Sequence, residues 1–111
     1  MLIRFQRDGG LVAQLKLTLA LDTSTLPPDE RAEIEDLVAS SGFMDLPPVL
    51  EGDPEARDAY TFTVTVEDGD DSHTVVVADS AVPDSLRPLI TRLTERAKQQ
   101  RRADSTGPSV P

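Results

Sequence analysis

The chain contains no cysteine. No disulfide can staple it, and no thiolate is available as a metal ligand or nucleophile. It has a single histidine, His73, which excludes a His-rich zinc site and any His–His catalytic pair. Apolar runs are short, and none approaches the ~20 residues that a bilayer-spanning helix needs. Arg4, Arg7 and Asp8 interrupt the N-terminus where a secretion signal would carry its apolar block. These absences predict a soluble, cytoplasmic chain. Its 111 residues suffice for one domain with one real core. The expected division is a single domain over 1–101 and a small, polar, disordered tail over 102–111.

Negative charge dominates, with a net value of −9. Residues 29–84 hold sixteen acids and two bases, Arg31 and Arg57, a local balance of −14. Such a body repels phosphates and anionic lipid, which argues against nucleic-acid and membrane partners. Residues 92–102 invert the sign, with five bases and one acid. This stretch has no aromatic residue on which a base would stack. Basic residues in the last turns of a helix, meeting its negative end, are the preferred reading.

Hydropathy patterning predicts an α+β fold of two layers in the order ββαββα. Four antiparallel strands form two hairpins, and two helices pack on one face. Leu2 to Arg7 places Ile3 and Phe5 on one side. Leu11 to Leu21 alternates without a break, a strong strand signal. A two-residue Gly9-Gly10 turn would set Phe5 opposite Gln14 and Ile3 opposite Lys16. Matching apolar faces needs an odd loop instead. A three- or five-residue loop is expected, for example with Phe5 opposite Leu15 and Ile3 opposite Leu17. A helix follows over about Pro27–Ser40, with Thr23, Ser24 and Thr25 as cap candidates and Gly42 as a left-handed stop. Residues 44–59 read as irregular. "YTFTVTVE" and "SHTVVVAD" form the second hairpin, with Val64 opposite Val75, Phe62 opposite Val77 and His73 beside Val66. The last helix spans roughly Ser85–Gln100, with Asp84 or Ser85 as its cap and Leu86, Leu89, Ile90, Leu93 and Ala97 on the apolar stripe.

Motifs that carry chemistry are scarce. The chain shows no zinc-protease helix signature, P-loop, dinucleotide fingerprint or nucleophile elbow. His73 is the one candidate general base near neutral pH, and a structural role in its hairpin is preferred. The acidic pieces "EDGDD" and "EGDPEARD" lack the spaced ligands of an EF-hand loop, so solvated turns are preferred to calcium sites. The residues point to a non-enzyme with no cofactor, no metal and no small-molecule substrate.

Several pieces in series carry a resemblance: "RFQRDGGLVAQ", "LALDT", "LPPDERAEIEDLV", "SGFMDLP", "YTFTVTVEDGDDSHTVVV" and "LRPLI". In that order and spacing, over residues 2–95, the chain resembles the emfourin family of small protein inhibitors. The resemblance implies inhibition of thermolysin-like (M4) zinc metalloproteases such as protealysin. It also implies an M4-type metalloprotease as partner. One position departs: Leu11 stands where phenylalanine is expected in the family. An inhibitor of this kind needs a stiff scaffold and a projecting loop, pre-ordered so that little entropy is lost on binding. The tip formed by Asp8, Gly9, Gly10, Leu11 and Val12 meets that need. Glycines permit close backbone approach, Leu11 or Val12 would fill an apolar pocket, and Asp8 would bring a carboxylate near the protease zinc. The competing reading is a plain chain reversal with Leu11 packed in the core. Loop 44–58 and hairpin 68–71 are both candidates for a second contact. From another class, the acidic body would suit an adaptor or decoy domain that binds a basic partner.

Overall fold

The structure, a computed structural model, describes residues 1–9, 16–52 and 60–105. Strand β1 (Leu2–Gly9) is followed by β2 (Leu17–Asp22), helix α1 (Pro28–Ser41), the two-residue strand β3 (Val49–Leu50), β4 (Tyr60–Asp68), β5 (Asp71–Ala78) and helix α2 (Arg87–Ser105). The strands form one sheet in the order β2-β1-β4-β5-β3. The α+β class and the pair of helices agree with expectation, but the sheet has five strands and is mixed. The extra strand, β3, runs parallel to β5, pairing Val49 with Val76 and Leu50 with Val77. It lies within the segment expected to be irregular. Pro47 and Pro48 precede it, and prolines have no backbone donor, but the Pro48 carbonyl still accepts from Val76 N–H at 2.8 Å.

Alternation decides which face is covered. Ile3, Phe5, Leu17, Leu19, Leu21, Phe62, Val64, Val66, Val75 and Val77 point to the helices and are buried in one cluster with Ile34, Val38, Leu86, Leu89, Ile90, Leu93 and Ala97. The opposite face carries mainly small and polar side chains, with Leu2, Val49 and Val76 as apolar exceptions and with Thr65 and Thr74 paired across strands at 2.8 Å between hydroxyls. The second hairpin has the expected register, Phe62↔Val77, Val64↔Val75 and Val66↔His73.

The first hairpin corrects the expected register. Phe5 lies opposite Leu19, not Leu15, and Ile3 lies opposite Leu21, not Leu17. Parity is preserved, so leucines still face the core, but the slip is four residues. Nine residues, 8–16, separate the innermost pair Arg7↔Leu17, where three or five were expected. The far end of the hairpin fixes this choice. Thr23 is fully buried and its N–H bonds to the Met1 carbonyl at 3.0 Å. Asp22 then caps a single 3-10 turn over Thr23–Thr25 through Ser24 N–H at 3.0 Å.

That turn uses the residues expected to cap α1. The helix starts after Pro27 with no side-chain cap, and Thr23 donates instead to the Glu35 carboxylate at 2.7 Å. Gly42 ends α1 at φ 64°, followed by the buried Phe43. An alanine at Gly42 would meet no atom within 4 Å, so only its left-handed backbone opposes the change. Gly42→Ala should cost about 1–2 kcal/mol in urea unfolding. A neutral result would show that the helix can stop another way. Helix α2 begins on the Pro83 carbonyl, which accepts from Leu86 and Arg87 N–H at 2.9 and 3.0 Å, rather than on an Asp84 or Ser85 side chain. It runs to Ser105. Residues 106–111 lie outside the described residues.

Candidate functional site

Every strand direction is fixed by the pairing, so each chain reversal can be assigned to one end of the sheet. Leu2 pairs with both Asp22 and Glu67, and Asp68 pairs with Asp71. These residues mark one end, with the Gly69 turn (φ 62°) beside the N-terminus. Gly9 pairs with Tyr60, and Thr61 with Ala78, which marks the other. Tyr60 and Asp68 are eight steps apart in β4, a separation of roughly 27 Å at ~3.4 Å per residue. Gly9 and the 68–71 turn therefore lie at opposite ends of the sheet. Strand β3 runs parallel to β5 and so heads toward the Gly9 end. Its chain leaves through Glu51 and Gly52 and re-enters at Tyr60, also at that end. Of the two candidate second contacts, loop 44–58 therefore reaches the Gly9 end through Leu50, Glu51 and Gly52, and its residues 53–58 lie outside the described residues.

Strand β1 outlasts its first partner. Among the described residues its pairing with β2 stops at Arg7↔Leu17, whereas pairing with β4 continues through Asp8↔Thr61 and Gly9↔Tyr60. Asp8 and Gly9 are therefore strand residues on the β4 ladder rather than part of a free loop. Gly10, Leu11 and Val12 lie outside the described residues. Asp8 presents its carboxylate on the open face, where Oδ2 accepts from Gln6 Nε2 at 2.9 Å. On the helix side Arg7 lays its guanidinium over the Tyr60 ring, 4.2 Å from the centroid. Arg7 Nε is buried and has no hydrogen-bond partner among the described residues. A cation over an aromatic face contributes about 0.5–2 kcal/mol depending on desolvation. Sequence reading passed over Arg7 and Tyr60 as ordinary strand residues. The available signal was a cation continuing the Ile3–Phe5 apolar face.

The other candidate groups have structural partners. His73 Nε2 lies 2.7 Å from the Leu46 carbonyl, and its ring meets Phe43 edge-on at 5.7 Å between centroids. That bond ties the connection after α1 to β5. Arg92 and Arg96 of the basic stretch face α1: Arg92 Nε is 2.7 Å from Glu33, short of hydrogen-bond geometry, and Arg96 Nη1 is 3.5 Å from Glu30. Their charge is directed at the neighbouring helix. Among the described residues no cluster of His, Asp and Glu is arranged to hold a metal ion. No described helix is long and apolar enough to cross a membrane.

Two carboxylates titrate below their ordinary values, and both sit away from the tip. The Ser24 hydroxyl and amide hold Asp22 below 3.8, and the Thr23 hydroxyl with Arg31 holds Glu35 below 4.5. Both groups bind fewer protons folded than unfolded, so their contribution is complete above those ordinary values. It is lost as pH falls through the lowered ones. Thr23→Val should flatten the acid limb of the stability profile below pH 4.5, read by urea unfolding at a series of pH values. An unchanged limb would remove Thr23 as the cause.

Comparison with curated proteins returned no match, and neither did comparison with solved structures. Residues 5–94 match the Emfourin family. That span runs from the middle of β1 into α2 and takes in β2 to β5 whole, so the chain belongs to the Emfourin family, a family of protease-inhibitor type.

Proposed function

We propose that this chain is a cytoplasmic inhibitor of an M4 (thermolysin- or protealysin-like) zinc metalloprotease, acting by occluding the active-site cleft. The observation that carries the reading is the continuation of β1 to Gly9 on the β4 ladder after β2 has ended. A loop leaving from a strand that is still hydrogen-bonded starts from a fixed position and direction. Less conformational freedom is then lost on docking, and tight binding does not require an unusually large interface. Arg7 on Tyr60 stiffens the same root. Gly10, Leu11 and Val12 enter the cleft, with Leu11 in the apolar pocket and Asp8 and Gly9 at the base. The segment after Leu50 supplies the second contact, because the 68–71 turn faces the other way. The family membership supports inhibition as the activity.

The test is a peptide-cleavage assay with several thermolysin-type proteases, adding the purified protein at low and at high salt. The expected result is inhibition that competes with substrate and changes little with ionic strength. An adaptor held by its acidic body would lose binding steeply as salt rises. No inhibition of any such protease would overturn the proposal.

A further inference from the structure

The two edges of the sheet differ in how they are protected. On one side β5 is covered in part by β3, two residues long, preceded by Pro47 and Pro48 and followed by Glu51. Short strands, prolines and charges are the devices that keep edges from pairing with other chains. Strand β2, on the other side, is longer and nearly free of them. "LTLALD" contains no proline and no glycine, its one charge is the terminal Asp22, and no described strand lies beyond it.

The bonding phase of this edge follows from its inner pairing. Thr23 N–H donates to the Met1 carbonyl in the register that sets Leu2 opposite Asp22 and Ile3 opposite Leu21. Odd-numbered residues of β2 therefore exchange hydrogen bonds with β1. The N–H and C=O groups of Thr18, Ala20 and Asp22 are directed outward. Lys16, Thr18 and Ala20 are exposed.

We propose that two copies of this chain associate through β2, antiparallel across a two-fold axis at Leu19, joining their sheets into one of ten strands. Directly opposed residues on antiparallel strands lie on the same face, so the axis must keep leucines with leucines. An axis at Leu19 does this, setting Leu17 against Leu21 of the other copy and Thr18 against Ala20. It also sets Lys16 opposite Asp22, twice, so the only two charges of the 16–22 stretch neutralise each other across the interface. An axis at Ala20 places Lys16 opposite Ser24, and one at Thr18 places Lys16 opposite Ala20, leaving the charges unpaired. A C2 contact of this kind is self-complementary and closes at two copies. The Gly9 ends of the two β1 strands then lie at opposite ends of the joined sheet. The inference does not rest on the inhibitor reading.

Sedimentation equilibrium into the high micromolar range tests it. The expected wild-type species is a dimer. Ala20→Pro removes an outward N–H without touching a bond to β1 and should leave a folded monomer. Lys16→Asp, on an exposed side chain, should raise the dimer dissociation constant about tenfold or more by opposing two aspartates. Asp22→Lys, shown folded by its melting curve, should do the same. Mixing these two variants pairs Asp with Lys at both sites and should restore a dimer in which each copy is a different variant. A wild-type monomer, a dimer indifferent to Ala20→Pro or to Lys16→Asp, or a mixture that fails to recover would each overturn the proposal.

Discussion

Phe5→Ala should lower unfolding stability by about 3–5 kcal/mol, a large part of the ~5–15 kcal/mol that holds a domain of this size together. The melting temperature should fall by roughly 10–25 °C. Phe5 is 2% exposed and stands in an interior strand, with Leu19 on one side and Val64 on the other. Its ring stacks on Phe62 at 6.0 Å between centroids and 27° between planes. Truncation removes buried apolar surface and leaves a void that the neighbouring strands cannot collapse into, because both are held by ladder hydrogen bonds. Arg4→Ala, one residue away on the open face, should change stability by no more than about 0.5 kcal/mol. Urea unfolding followed by circular dichroism measures both. If the two substitutions cost the same, β1 does not present Phe5 to the helices.

The second large effect concerns the proposed tip. Leu11→Asp should weaken protease inhibition by about 30-fold to 1,000-fold, the range for a central anchor residue of an interface. The carboxylate would have to enter an apolar pocket without a partner. Gly10→Pro should weaken it comparably by fixing φ directly after the last described ladder residue, Gly9. Neither substitution should change the melting temperature by more than a few degrees, because neither residue belongs to the described β1–β4 ladder, which runs to Gly9. The measurement is the inhibition constant of each folded variant against a thermolysin-type protease. Inhibition that survives both substitutions unchanged would move the contact surface away from 8–12 while leaving the inhibitor reading intact.

How much of this was legible in the sequence depended on whether a local rule had a single solution. The register of the second hairpin was read to the residue because the valines allow one in-phase pairing, although Gly69 and Asp70 turn the chain in two residues rather than four. The first hairpin was read only in phase. Leu15, Leu17 and Leu19 present equivalent apolar side chains to Phe5, so period-two alternation fixes the parity and leaves the slip open. A distant tertiary contact, Thr23 at Met1, settles it. The same contact explains the cap residues: a buried threonine bonded to Glu35 is no longer free to cap α1. Strand β3 was invisible because two residues carry no period, and its neighbour Pro48 participates only as an acceptor. At the proposed site, the sequence order carried the family likeness. The unequal lengths of the two ladders flanking β1, which secure Gly9, come from pairing with a strand more than fifty residues away and leave no local trace.

That distant pairing has a consequence for how the molecule is made. The first strand to leave the ribosome, β1, finds its second partner only when residues 60–67 have emerged, so the middle of the sheet is completed late in synthesis. Until then β1 exposes an unpaired row of amides and carbonyls beside a row of leucines, the kind of surface on which nascent chains aggregate. Ladders that close over such long sequence distances also slow the search for the native state relative to a helical bundle of the same length.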